Sequence, residues 1–291
     1  MAGARPIVDP PEFTSLPFGL WDAVQKPTAP AHWQNGVTYI ERCPRGDTTF
    51  DECISVTGTG APPEPPTKTD NVFQAFRGAT PITIYARFDC SPVGIGEAEE
   101  AATEALSRSE NTQLESAFWT GVVGGQTAAF PHLAANAEVD DAESILLQTA
   151  ASVCVTGVDV ARGLGELEDC LADCRSGLGL IHIPPEALPT FVAWNLAIRR
   201  DNALFTPAGH QIVVGTGYPG TGPDGSAPPA GQTWIYGTGP MFGYRGNVRF
   251  TAARESFDRA ENTFQMIAER TYVLGFQCCH FAALIELGAP T

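Results

Sequence analysis

Lysine is nearly missing from this chain: of 17 cationic residues only Lys26 and Lys68 are lysine, the others being arginine. That excludes a polybasic membrane patch and a lysine-rich tail. Positive charge as a whole is scarce, with 33 acidic residues giving a net charge of −16. The average field repels phosphate backbones, so gripping nucleic acid is excluded as the main task. The opening stretch MAGARPIVDPPEF lacks the apolar core of a signal peptide, which leads to the expectation of a chain that is not exported. Its longest apolar run, 272–287, is interrupted by Gln277, His280 and Glu286 and is too short to cross a bilayer, so a soluble protein is expected.

Cysteine is not scarce, but its metal-binding spacings are. Among the eight cysteines there is no CxxC: Cys43 and Cys53 lie ten apart, Cys170 and Cys174 share a helix face, and Cys278 and Cys279 are adjacent. In a chain that is not exported, these residues are expected to be buried reduced thiols, with a Cys43–Cys53 loop disulfide as the alternative.

What is present is enough chain, 291 residues, for one large domain or two small ones. Thirty glycines and 24 prolines exceed the usual share but stay below the roughly one quarter that marks low complexity. Residues 1–36 scatter Phe13, Phe18, Trp21 and Trp33 among prolines without a sustained period, as an extended arm would. A strand at 36–40 and another at 81–88 flank a Pro/Gly-rich excursion and read as one long projecting hairpin. Such a hairpin has no core of its own and must lie against something else.

Beyond it, residues 96–119 give the clearest helix. Acidic residues crowd its first turn, Ala98, Ala102, Leu106, Leu114 and Phe118 recur at helical spacing, and about 24 residues make a rod of roughly 36 Å. Further helices are predicted at 142–153, at Leu164–Leu167–Leu171–Cys174 with Gly177 as the stop, at 186–200 and at 253–270. Strands are predicted at 178–183, 211–214, 233–237 and 241–250, and a final apolar strand at 272–287, bent at Gly275 and central in a sheet.

A search for chemistry yields little. Gly215-Thr216-Gly217-Tyr218-Pro219-Gly220 is a literal GxGxxG after the strand QIVV. The following TGPDGSAPPAG cannot start the helix that a dinucleotide site requires, so a structural loop is the expectation. His32, His132, His182, His210 and His280 form neither HxH nor HExxH; His182 and His280 sit in apolar strands, where a hydrogen-bonded histidine is commoner than a ligand. Cys279-His280 with His182 could make a thiol-imidazole pair if their strands are neighbours, but the sequence supplies no orienting Asn or Asp. The carboxylates Glu97, Glu99, Glu100 and Glu104, and Glu166, Glu168, Asp169 and Asp173, suit solvated helix faces. No catalytic, cofactor or metal residue is therefore assigned, which favours a structural protein over an enzyme.

The order of parts, an arm, a projecting hairpin, one long helix, a mixed α/β region and a final apolar strand, resembles the major capsid protein of tailed bacteriophages, the Hong Kong 97-type coat fold. The stretches LPFGLWDAV, HWQNGVTY, FDCSPVG, LESAFWTG, LIHIPPEAL, TPAGHQIVVGTGYPGTGP, WIYGTGPMFGYR and AERTYVLGFQCCHFAALIEL are similar to coat-type proteins of actinobacterial phages. The resemblance spans nearly the whole chain and implies an α+β fold. Residues 1–36 would be the N-arm and 37–90 the extended hairpin (E-loop). Residues 91–124 and 251–291 would form the peripheral (P) domain, with 96–119 as spine helix, and 125–250 the axial (A) domain.

It also implies a structural virion protein without enzymatic activity. Copies would assemble as pentamers and hexamers into an icosahedral head that encloses DNA non-specifically, in a virion put together in the host bacterial cytoplasm. Scaffold, portal and decoration proteins would be its further partners, and no membrane. An encapsulin-like nanocompartment shell is the alternative, with a soluble enzyme behind it. Some capsids of this family join a hairpin lysine to an asparagine of a neighbouring subunit. Lys68 is the hairpin lysine here, but PPTKTD is not distinctive and no crosslink is expected, since an ordinary lysine is almost wholly ammonium at neutral pH.

Overall fold

The computed structural model describes residues 14, 16–44, 72–90, 98–125, 127–174, 177–250, 257–258 and 263–288. Elements are numbered in chain order. After the short helix α1 (Leu20–Ala23), β1 (Val37–Pro44) and β2 (Val72–Ala79) pair antiparallel, and β3 (Pro81–Cys90) precedes the long rod α2 (Ala98–Thr120). A small ribbon follows, β4 (Val122–Val123) with β5 (Thr127–Ala128), and then β6 (Val139–Asp140) and β7 (Leu146–Gln148) extend the hairpin sheet in the order β1-β2-β7-β6. The next elements are β8 (Ser152–Asp159), α3 (Val160–Cys174), β9 (Leu180–Ile183), α4 (Leu188–Ala193), β10 (Ile198–Arg200), β11 (Ala203–Phe205), β12 (Gln211–Val214) and β13 (Gln232–Thr238). The chain continues through β14 (Met241–Arg245), β15 (Arg249–Phe250), β16 (Phe257–Asp258), β17 (Thr263–Phe276) and β18 (His280–Glu286).

A seven-stranded sheet in the order β10-β11-β12-β9-β13-β18-β8 forms one body. Its inner strands β12, β9, β13 and β18 are largely buried because each face of the sheet carries a core. On one side Leu164, Leu167 and Leu171, spaced 3 and 4 along α3, pack with Ile181, Ile235 and Ile285. On the other, Leu180, Val213, Tyr236 and Ala282 join the core built around Phe118 and Trp119 of α2. The start of α3 is fixed by Asp159, whose Oδ1 accepts the backbone N–H groups of Ala161 and Arg162 at 3.0 Å each, an N-cap.

The second body is a sheet around β17. β3 lines one edge of it from Phe264↔Cys90 to Val273↔Pro81, while β14, β15 and β16 occupy the other edge in turn. Ile82 and Ile84 of β3 and Met266 and Ala268 of β17 meet Leu106, Leu114 and Ala117 of α2 in the same core. The rod therefore bridges both sheets.

Several expectations are corrected. The hairpin strand opposite β1 is β2, not 81–88: Val37 pairs with Ala79 and Pro44 with Val72, and β3 belongs to the β17 sheet. VFQAFRGA has no clean alternation, so its pairing is set by the partner strand rather than by its own pattern. No helix spans 142–153. Asp141 Oδ1 instead accepts N–H groups from Glu143 and Ile145 at 2.8 Å each, a local turn that competes with helix, and β7 and β8 follow. The helix expected over 186–200 is confined to a 3₁₀ turn and α4, because Asn195 takes a left-handed φ of 56° and Leu196 closes back on the Phe191 carbonyl at 2.8 Å.

The helix expected over 253–270 is β16 and β17 where it is described. Phe264, Met266 and Ala268 are buried alternately, and pairing along both edges outweighs the helical preference of Ala, Glu and Arg. The expected strand 272–287 is two strands in two sheets, and the break falls at 277–279, with Cys278 at a φ of 65°, instead of at Gly275. Six of the eight cysteines are not reduced thiols: Cys43–Cys278, Cys154–Cys170 and Cys174–Cys279 are disulfides, and the partner of Cys43 is Cys278, not Cys53. Two of these join residues 235 and 105 positions apart, which only the tertiary fold brings together. Cys53 and Lys68 lie outside the described residues.

Candidate functional site

The polar groups that organise the molecule sit along α2 and at the joint between the two sheets. Glu115 is 2% exposed. Its Oε1 accepts the Leu20 N–H at 3.0 Å, and its Oε2 accepts the Thr216 hydroxyl at 2.9 Å and the Gly217 N–H at 3.2 Å. One carboxylate thus fixes both the segment that begins α1 and the Gly215 loop to the rod. Burial pushes its carboxyl above the usual range, against the opposing effect of the donors.

The GxGxxG stretch has a purely steric explanation. A Cβ on Gly217 would stand 1.9 Å from the Thr112 carbonyl oxygen and 2.7 Å from the Ser116 nitrogen, so the glycine lets this loop lie on the helix backbone. No helix follows it before β13. The loop continues along α2: Trp119 Nε1 donates to the Thr221 hydroxyl at 3.0 Å, and the Tyr236 hydroxyl donates to the Thr221 carbonyl at 3.0 Å.

One and a half turns earlier, Glu110 ties α2 to the β17 sheet. It meets Arg270 at 2.7 Å and Arg245 at 3.1 Å and accepts the Tyr272 hydroxyl at 3.0 Å. Burial and the adjacent carboxylate raise the Tyr272 phenol well above its ordinary range, so it stays a donor.

His182 and His280 flank β13 on β9 and β18, opposite Tyr236 and Thr238 respectively. His182 Nδ1 lies 3.1 Å from the Tyr218 hydroxyl and Nε2 lies 3.0 Å from the Thr238 hydroxyl. His280 faces the Thr149 and Leu133 carbonyls at 2.8 Å each. Burial pushes His182 down to about 3 and His280 down to about 4, so both are neutral at physiological pH. Cys279 is bonded to Cys174 and has no thiolate to offer, so the Cys279-His280-His182 constellation is not a nucleophile-base pair.

Among the described residues, Glu41, Cys43 and Cys278 are the one group of three potential metal donors that converges, within 4.8 Å. Their arrangement does not fit a cation in this state. The two sulfurs are bonded to each other, and Arg77 pairs with Glu41, which also accepts the Cys278 N–H. Glu99, Glu100 and Glu104 of α2 and Asp169 and Asp173 of α3 are exposed, Glu104 pairing with Arg108. Glu166 meets Arg162 at 3.6 Å, and Glu168 accepts the Thr206 hydroxyl at 2.5 Å. Sequence reading missed the carboxylates that matter, Glu110 and Glu115 because nothing in their spacing separates them from a solvated helix face, and Glu41 because its buried partner Arg77 lies on another strand.

The outer surface offers a different feature. Ile40 and Phe76 face each other across the hairpin and are 40% and 58% exposed, and Tyr85 on β3 is 59% exposed. No helix among the described residues is long and apolar enough to cross a membrane.

No protein-family model matches the sequence, and no curated protein sequence is similar to it. Solved structures are. The capsid of an empty GTA particle computed with C5 symmetry aligns over 98% of this chain and 94% of its own at a TM-score of 0.57 and 9% identity. The capsid of Ralstonia phage GP4 aligns over 100% and 97% at 0.51 and 10%. The holo-SrpI encapsulin complex from Synechococcus elongatus PCC 7942 aligns over 99% and 93% at 0.50 and 12%. Capsid and encapsulin structures are aligned almost end to end, so the chain has the Hong Kong 97-type coat fold, an α+β architecture.

Proposed function

We propose that this chain is a structural virion protein, the major capsid protein of a tailed phage, whose copies assemble as pentamers and hexamers into the icosahedral head shell around packaged DNA. The observation that carries this reading is the end-to-end likeness to particle capsids, 98% of this chain on the GTA capsid. Physics supports it. A hairpin with no core of its own and an exposed Ile40–Phe76 pair make sense once neighbouring copies cover them. Net negative charge keeps the shell wall from clinging to DNA, so the genome is enclosed and not bound by sequence.

In this reading residues 1–36 are the N-arm, 37–90 the E-loop, whose last strand β3 joins the β17 sheet, 91–124 with 251–291 the P domain around α2, and 125–250 the A domain, whose sheet also takes in β18. Assembly takes place in the host bacterial cytoplasm, with scaffold, portal and decoration proteins as further partners. The protein is not an enzyme, and its buried polar groups serve packing.

A nanocompartment shell is the second reading, favoured by the SrpI encapsulin alignment at a TM-score of 0.50. Nuclease treatment of purified particles followed by extraction separates the two. Protected double-stranded DNA supports the capsid, whereas particles with a co-purifying enzyme and no DNA support the compartment.

A further inference from the structure

The adjacent residues Cys278 and Cys279 occupy the turn that passes the chain from the β17 sheet to the β18 sheet, and each is bonded to a different element. Cys278 holds Cys43, near the end of β1, and Cys279 holds Cys174, the last residue of α3. We propose that this turn is a two-armed redox latch, in which the Cys43–Cys278 bond is the reversible arm that pins the hairpin β1–β2 to the body of its own subunit.

Three observations carry this. Among the described residues, β2 is held along its outer edge by β7 and by Arg77 bonding Thr149, whereas β1 reaches the joint through few groups. The Tyr39 hydroxyl donates to the Phe276 carbonyl at 2.8 Å, its ring meets Phe242 at 4.9 Å, and Glu41 pairs with Arg77 and accepts the Cys278 N–H. The arms also differ in access. Cys43 and Cys278 are both half-buried, whereas in the other arm Cys174 is half-buried and Cys279 is 0% exposed, so a small thiol finds two reachable sulfurs in the hairpin arm and one in the other. Finally, the third bond, Cys154–Cys170, closes only 16 positions between β8 and α3 and leaves the hairpin untouched.

A chain folded in a thiol-reducing compartment carries free thiols at these positions, and the bonds close on exposure to an oxidising solution. The oxidant is a small-molecule disulfide such as oxidised glutathione. One protein thiolate attacks a sulfur of that disulfide and expels one thiolate. The second cysteine, deprotonated, attacks the mixed disulfide and expels the other. Two protein thiols become one protein disulfide, and the reagent leaves as two thiols with the two protons. This inference does not depend on the shell reading, since it concerns how one subunit holds its own hairpin.

The test uses the full-length protein, purified under oxidising conditions and then exposed to graded dithiothreitol. A non-reduced tryptic digest is expected to contain a species linking Cys43 to peptide 271–291, lost at lower reductant than the Cys174–Cys279 link. Hydrogen exchange of amides in 37–44 and 72–79 is expected to speed up several-fold as that link is lost. Cys43→Ser is expected to show the fast exchange with or without reductant. Absence of the link, simultaneous loss of both links, or hairpin exchange indifferent to reductant in the wild type overturns the proposal. So does stoichiometric zinc in the reduced protein, which would assign Glu41, Cys43 and Cys278 to a metal.

Discussion

At the scale of single residues, the neutral buried histidines make a pH prediction. Burial depresses His182 to about 3 and His280 to about 4, below the ordinary value near 6.5, so above pH 6.5 neither folded nor unfolded chain binds the proton. As pH falls below 6.5 the unfolded chain protonates first, and stability is lost progressively down toward the folded values. By pH 5 each histidine should cost about 2 kcal/mol relative to pH 7.5. Denaturant unfolding at the two pH values checks this, and His182→Gln should remove the His182 contribution of about 2 kcal/mol. The glycines allow a paired prediction. Gly217→Ala drives a methyl into the α2 backbone and should cost about 3 kcal/mol or more. Gly165→Ala, on α3 with nothing within 4 Å of the added Cβ, should raise stability by up to about 1 kcal/mol in thermal unfolding.

These residues also mark the limit of what the sequence makes legible. The histidines stand in apolar strands, and the GxGxxG loop lacks its helix; both are local facts. Glu110, Glu115 and the disulfide pairs are defined by partners far away along the chain, such as Arg270 for Glu110 and Cys278 for Cys43. No local pattern carries that information.

At the scale of elements, the well-marked ones are those whose own pattern agrees with their surroundings. α3 has leucines at helical spacing and an Asp cap, and β12 is a short apolar run between breakers. β17 shows the opposite case. Its Ala, Glu and Arg residues suit a helix, but strands on both edges impose the extended form, and the alternation of Phe264, Met266 and Ala268 is short and interrupted. The bridge from α2 to β17 should also be a sensitive polar link. Glu110→Ala leaves Arg270, 14% exposed, without its carboxylate, and should destabilise by about 3 kcal/mol. Pairing it with Arg270→Met in a double-mutant cycle should recover part of that loss; additivity would show that the pair is not coupled.

At the scale of the whole molecule, the order of hairpin, rod and mixed sheets is legible as a pattern, although several elements within it are not. Order survives local misreading because each part is set by length and composition, whereas strand pairing is set by contacts across the chain. A hairpin that has no core of its own is what assembly would use, so the central claim is one about association. Electron microscopy of the purified protein, alone and with its scaffold, tests it most directly. The account predicts closed shells built of pentamers and hexamers; a uniform population of 30.9 kDa monomers or small oligomers under every condition would contradict it.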